Sequence, residues 1–205
     1  GFTHPKAVEL AERLLGHLPE NQKKIFYSDN GSTAVEVALK MAIQFHSNQG
    51  LPNNTIIAFD NAYHGDTFGA MSVSGRSVFS NPFQPYLFDV KFIETPIKGN
   101  EELAFNQLKE TINKGNITAF IFEPLVQGAA GMMMYEPEIL EKMIRYCKSK
   151  QVITIADEVM TGFYRTGKFL ATDYINEKPD IYCLSKGITG GEMAFGVTIC
   201  TQMIF

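Results

Sequence analysis

Five short polar runs hold most of the residues in this sequence that could do chemistry. They are Ser28-Asp29-Asn30-Gly31-Ser32, Asn61-Ala62-Tyr63-His64-Gly65, Glu123-Pro124-Leu125-Val126-Gln127-Gly128, Asp157-Glu158 and Ser185-Lys186-Gly187. Lys186 is either a solvated stem beside a turn or an amine desolvated at a strand end. Desolvation disfavours the ammonium form and yields the neutral amine that Schiff-base chemistry needs. Gly187, Gly190 and Gly191 leave space beside it. Asp157 ends the apolar run Val152 to Ala156, so it is expected to be partly buried and to need a cationic or hydrogen-bonding partner. That partner is an arginine such as Arg165, or a protonated heteroaromatic nitrogen. Glu123 carries the same choice and reads as support for its neighbours, while Gln127 is a neutral donor able to reach a ring oxygen. Gly31 and Ser32 stand where a strand passes into a helix. Unpaired N–H groups and the positive end of the helix dipole favour a phosphate there, although a plain turn and cap explain the same residues. Tyr63 and His64 offer a flat ring to a planar ligand, or simply pack.

The elements that must position these groups follow from the apolar spacing. Ala7, Val8, Leu10, Ala11, Leu14 and Leu15 recur at helical intervals between His4 and His17, with Gly16 and Pro19 as the stop. A second helix, capped by Asn30 or Ser32, carries Val35, Leu39, Ala42, Ile43 and Phe45 inward, with Glu36 four residues before Lys40 as surface support and Gly50-Leu51-Pro52 as its end. Further helices are predicted over Glu101 to Asn113 and Pro137 to Lys150. Strands are predicted at Ile25 to Tyr27, Thr55 to Phe59, near Lys91 to Glu94, and at Thr118 to Phe122, Val152 to Ala156 and Asp180 to Leu184. Ser74 to Pro96 reads as an irregular excursion. Strands apolar on both faces, alternating with helices, predict an α/β fold with a mainly parallel sheet flanked by helices in one domain. In such sheets the ligand lies beyond the carboxyl ends of the strands, which is where all five polar runs fall. A phosphate loop, an aromatic ring, a strand-end aspartate and a strand-end lysine, in chain order, match the way pyridoxal phosphate is held.

Composition excludes several other classes. With 45% hydrophobic and 20% charged residues and a net charge of -4 over 205 residues, the chain has core material and no basic stripe for nucleic acid or an anionic membrane. No apolar run approaches the roughly 18 residues that span a bilayer. The four histidines lack metal-ligand spacing, so no metal is expected. Cys147, Cys183 and Cys200 suggest neither a disulfide framework nor a zinc site, and a reducing cytoplasm suits them. The triplets starting at Asn30, Asn53 and Asn116 read as chance matches to a glycosylation acceptor. Both ends look cut, which suggests part of a longer enzyme. Neither the GxGxxG nor the GxxxxGK fingerprint of a nucleotide site is present.

Five motifs resemble class III aminotransferases and occur in that family's order: Ser28-Asp-Asn-Gly-Ser-Thr-Ala-Val-Glu-Val-Ala-Leu-Lys40, Tyr63-His-Gly-Asp-Thr-Phe-Gly-Ala-Met-Ser-Val73, Glu123-Pro-Leu-Val-Gln-Gly128, Ala156-Asp-Glu-Val-Met-Thr-Gly-Phe-Tyr-Arg-Thr-Gly167 and Leu184-Ser-Lys-Gly-Ile-Thr-Gly-Gly191. The resemblance covers nearly the whole chain and favours the branch that acts in biotin synthesis, with S-adenosylmethionine as the usual amino donor. It implies pyridoxal phosphate as cofactor, with Lys186 as the Schiff-base lysine and proton shuttle. Asp157 is implied on the pyridine nitrogen, Gly31 and Ser32 on the phosphate, Tyr63 stacked on the ring with His64 beside it, Gln127 near the phenolic oxygen and Glu123 in support. It further implies a homodimer, and that residues 1–205 are the cofactor-binding large-domain core, with an N-terminal segment and a small C-terminal domain lying outside them.

Overall fold

The computed structural model describes residues 3–51 and 55–205. Gly1, Pro52 of the expected helix stop, and Asn53 and Asn54 of one acceptor triplet lie outside the described residues.

Helix α1 (Pro5–Leu15) is followed by β1 (Gln22–Ser28), α2 (Gly31–Asn48), β2 (Thr55–Phe59), the short α3 (Phe68–Ser72) and β3 (Val90–Ile93). Then come α4 (Glu101–Asn113), β4 (Ile117–Phe122), a small hairpin of β5 (Val126–Gln127) and β6 (Met133–Met134), α5 (Pro137–Ser149), β7 (Ile153–Asp157), β8 (Ile181–Leu184) and β9 (Gly196–Thr201). Seven of these strands form one sheet in the order β1-β9-β8-β7-β4-β2-β3. The pairs from β8 through β7, β4 and β2 to β3 are parallel, and β9 is antiparallel to both neighbours. Two reversals cancel, so β1 points the same way as β8. Every strand of this sheet except β9 therefore ends at one edge, and all five polar runs emerge there. The mainly parallel α/β architecture expected from the sequence is the architecture found.

Side chains alternate across the sheet with period two. Phe120 and Phe122 of β4, Ala156 of β7, and Tyr182 and Leu184 of β8 pack on the face covered by α4 and α5. Ala119 and Ile121, Ile153 and Ile155, and Ile181 and Cys183 pack on the opposite face. That second face is built from smaller groups, which lets α2 lie close through Ala34, Val35, Ala38, Leu39 and Ala42.

Several sequence expectations need correction. β9 was not expected: its strand begins at Gly196 beside the irregular stretch after Lys186, and tertiary pairing with β1 and β8 is what defines it. The α3 turn and the β5–β6 hairpin were also unforeseen. Ile43 is exposed, and the last buried position of α2 is taken by His46 instead. Glu36 does not support Lys40; its Oε1 accepts from Thr67 Oγ1 at 2.6 Å and from the amides of Gly69 and Ala70 at 2.7 and 3.1 Å, closing the amino end of α3. Three donors on one carboxylate oxygen outweigh a solvated helical ion pair.

The ring of Phe120 is fully buried, edge-on to Phe59 at 5.2 Å and close to Phe122 at 5.1 Å. Phe120→Ala is expected to lower the unfolding free energy by about 3–5 kcal/mol, whereas the exposed Ile43→Ser is expected to change it by less than about 0.5 kcal/mol. Urea unfolding monitored by circular dichroism measures both.

Candidate active site

At the carboxyl edge of the sheet lies a cavity of about 550 Å³. Its lining includes Gly31 and Ser32 from the start of α2, Tyr63 and His64 from the loop after β2, Glu123 after β4, Asp157 at the end of β7, and Ser185 and Lys186 after β8. Five separate strand ends thus contribute to one space of the size small-molecule sites have.

Asp157 is 4% exposed. Its Oδ2 stands 2.7 Å from Nδ1 of His64, and its Oδ1 accepts from the amide of Val159 at 3.1 Å. Because a carboxylate can only accept, Nδ1 is the nitrogen that carries hydrogen. His64 is itself 3% exposed, with its amide donating to Ser74 Oγ at 2.8 Å. Its ring therefore forms part of the cavity wall behind the aspartate, with no side-chain surface open to solvent. Arg165, the alternative partner for Asp157, donates instead to the carbonyl of Met160 at 2.6 Å.

The amino end of α2 presents unpaired donors to the cavity. Asn30 is the cap: its side chain accepts from Thr33 N while Thr33 Oγ1 receives the Asn30 amide, and Asn30 O takes the amide of Ala34. The amides of Gly31 and Ser32 belong to the first turn, which a helix cannot pair internally. Ser32 Oγ accepts from the amide of Asp66 at 3.2 Å, so its own hydrogen remains available to an incoming acceptor. A Cβ on Gly31 would lie 2.9 Å from Val159 Cγ1, and one on Gly65 would lie 2.1 Å from Ser32 Oγ. Both glycines are required by close approach.

Tyr63 is 44% exposed, with its amide held by Glu123 Oε1 at 2.9 Å and its hydroxyl donating to Asp66 Oδ2 at 3.0 Å. Partial burial, and then the Asp66 carboxylate, push the phenol above its ordinary value. Glu123 is 4% exposed and accepts from Tyr63 N and, through Oε2, from Gly128 N at 3.1 Å. Burial raises its carboxyl above the usual range, and His64 together with the two amides works against that rise.

Two sequence expectations change here. Lys186 is exposed, so the desolvation argued from its strand-end position does not hold: the chain leaves β8 and turns immediately, with Lys186 at φ 46° and Gly187 pressed against Phe163. That left-handed backbone is one a non-glycine residue takes only where its surroundings impose it. Gln127 is fully buried and is not among the residues lining the cavity. It lies 2.9 Å from Thr95 Oγ1, which in turn reaches Asp60 Oδ1 at 3.1 Å. Gln127 Oε1 accepts from the Thr95 hydroxyl, which also stands within reach of Asp60 Oδ1. Gln127 thus braces the loop that leads to Tyr63.

Lining residues to which the sequence assigned no role include Val159 and Met160, inside the fourth motif, and Ala129 and Met132, outside the motifs. The first two directly follow Asp157-Glu158 and the last two follow Gly128, so proximity to the motifs was the available signal. Glu158 is structural: fully buried, it accepts from Thr161 Oγ1, from the amides of Ala171 and Thr172 at 2.9 Å each, and from Thr172 Oγ1. Among the described residues no group of His, Cys, Asp and Glu could hold a metal ion, and no helix is long and apolar enough to cross a membrane.

The family model described as aminotransferase class-III matches residues 1–205. An adenosylmethionine-8-amino-7-oxononanoate aminotransferase of Synechococcus elongatus is 46% identical over the whole chain and 50% of its own length. One of the same name from Geobacter sulfurreducens is 40% identical, over the whole chain and 48% of its own length. The chain therefore spans about half the length of the curated relatives it matches. Among solved structures, the adenosylmethionine-8-amino-7-oxononanoate aminotransferase of Methanocaldococcus jannaschii superposes with a TM-score of 0.93 at 38% identity, covering 100% of this chain and 48% of that one. A PLP-bound amine transaminase from an uncultivated Pseudomonas species gives 0.94 at 34%, covering 100% and 49%.

Gly65 has φ +129° besides its contact with Ser32. Gly65→Ala is expected to cost about 1–3 kcal/mol of stability and to loosen the seat of the Ser32 hydroxyl. A thermal melt that leaves the midpoint unmoved would count against so close an approach.

Proposed function

This chain belongs to the class III aminotransferases, and from that membership we propose that it works in biotin synthesis as a pyridoxal-phosphate-dependent transaminase. It moves an amino group from S-adenosylmethionine to 8-amino-7-oxononanoate, giving 7,8-diaminononanoate. The observation that carries this reading is a buried, histidine-held carboxylate sharing one cavity with a lysine and the open end of α2. Residues 1–205 are read as the cofactor-binding large domain.

The residues present fit pyridoxal phosphate. The free hydrogen of Ser32 and the side-chain-free backbone at Gly31 suit its phosphate, and a water-poor carboxylate suits a protonated ring nitrogen. When bound, the cofactor supplies a protonated aromatic ring able to take up the electron pair left as a proton leaves the carbon bearing the amine. Gly31 and Ser32 would hold its phosphate. Tyr63, fixed at its amide and at its hydroxyl, would lie against the ring. Asp157 would keep the proton on the ring nitrogen, and His64 keeps Asp157 turned toward the cavity. Lys186 Nζ would carry the cofactor and then pass a proton to and from the substrate carbon, a transfer helped by its freedom at the cavity mouth.

A homodimer is part of this proposal. Phe68, Val78, Phe79, Phe83, Tyr86 and Phe88 stand exposed along one stretch of chain, an apolar surface that a second copy would cover. The three buried, unpaired cysteines suit a reducing compartment such as the cytoplasm. A second reading is a class III aminotransferase or aminomutase using another amine. The equally good backbone match to an amine transaminase favours it.

Mixing the intact protein with pyridoxal phosphate is expected to produce a visible absorption band, and borohydride is expected to fix the adduct at Lys186. Lys186→Ala should lose the fixed adduct, and an adduct mapped to another lysine in the unaltered protein would reject the assignment. S-adenosylmethionine should bleach the band and 8-amino-7-oxononanoate restore it; bleaching by ornithine or 4-aminobutyrate alone would select the second reading.

A further inference from the structure

Glu123 occupies a position that the roles above leave unexplained. It is 4% exposed, it lines the cavity, and both carboxylate oxygens are committed to backbone amides: Oε1 to Tyr63 at 2.9 Å and Oε2 to Gly128 at 3.1 Å. Those amides belong to two different loops, one leaving β2 and the other leaving β5, and both loops line the cavity. Glu123 is itself anchored, because its carbonyl accepts from the hydroxyl of the buried Tyr135 at 2.6 Å. The two grips extend further. On one side the Tyr63 ring is caught at its far end by Asp66. On the other, Gly128 faces Met160, whose Cε would stand 3.1 Å from any added Cβ.

We propose that Glu123 is a positioning residue, a bidentate brace that fixes the distance between the Tyr63 loop and the Gly128 loop and so sets the width of the slot that receives the cofactor ring. This rests on the aminotransferase reading above. The brace needs two acceptors, since both partners are N–H donors, and an ionised carboxylate is the side chain that offers them at this reach. A carboxylate so poor in water is costly to keep charged, which makes a merely incidental placement a poor explanation. The amides of Tyr63 and Gly128 lie in loops, where backbone groups ordinarily turn to water; here one side chain takes both out of water together.

Glu123→Gln keeps the shape but turns an NH₂ group toward one of the two amides, so a buried donor faces a donor. In the intact enzyme it is expected to leave far-UV dichroism and attachment at Lys186 in place, to weaken pyridoxal phosphate binding by about 10- to 100-fold, and to reduce the induced dichroism of the bound chromophore. Glu123→Asp, able to reach one amide but not both, should fall between. If the unaltered enzyme binds cofactor and Glu123→Gln binds it as tightly with unchanged induced dichroism, the brace is rejected while the functional reading stands. If the unaltered enzyme binds none, that reading fails and the brace falls with it. Amide hydrogen exchange of the unaltered protein gives a test that needs no variant: Tyr63 and Gly128 should exchange slowly for loop amides, and fast exchange at either overturns the proposal.

Discussion

The hydrogen bond between His64 Nδ1 and Asp157 Oδ2, 2.7 Å long and buried at the cavity wall, sets conditions that the surrounding structure has to meet. A carboxylate almost without solvent must be held by donors, and each donor must be held in turn. Val159 supplies one through its backbone, and His64 supplies the other because Ser74 fixes its amide. Ser74 passes the constraint on by donating to the carbonyl of Ala70 in α3. Glu36 then secures the first turn of α3 from α2, the helix whose own amino end opens on the cavity. A chain of paired polar groups thus runs from the buried carboxylate to the amino end of α2 that opens on the cavity, and no member can move far without leaving another unpaired.

The sheet makes this compact arrangement possible. Parallel strands all end at the same edge, so residues scattered from position 30 to position 186 arrive within one cavity. Aromatics on one face and aliphatic residues against the alanines of α2 on the other let the cover on the second side sit close. α2 therefore starts near the sheet edge, and Gly31 can press against Val159 and Gly65 against Ser32. Buried carboxylates do the remaining fastening: Glu158 gathers the loop that follows Asp157, and Asp180 binds the amide and hydroxyl of Thr154 at 2.8 and 2.7 Å. Their burial is tolerable because each is surrounded by donors already ordered by the fold.

By itself the sequence determined the strand and helix pattern, the mainly parallel sheet and the residue types that meet at its edge. Those properties are local: apolar runs such as Thr118 to Phe122 declare buried strands, and Asn30 before Gly31 declares a helix start. Strand direction then fixes where Asp157, Tyr63 and Lys186 must emerge. Tertiary structure decided the rest. β9 carries strand propensity in Val197, Thr198, Ile199 and Thr201, but its place between β1 and β8 and its antiparallel direction come only from tertiary pairing. His64 turned inward because Asp157 needed a donor, while Arg165 was drawn off by the Met160 carbonyl. Gln127 went to Thr95, Glu36 to α3, and Lys186 stayed in the open, since each side chain settles on the partner that the packed loops bring within reach. Spacing along a chain can state which groups are available, but long-range hydrogen bonds between residues 60 or 93 positions apart exist only once the sheet has placed them.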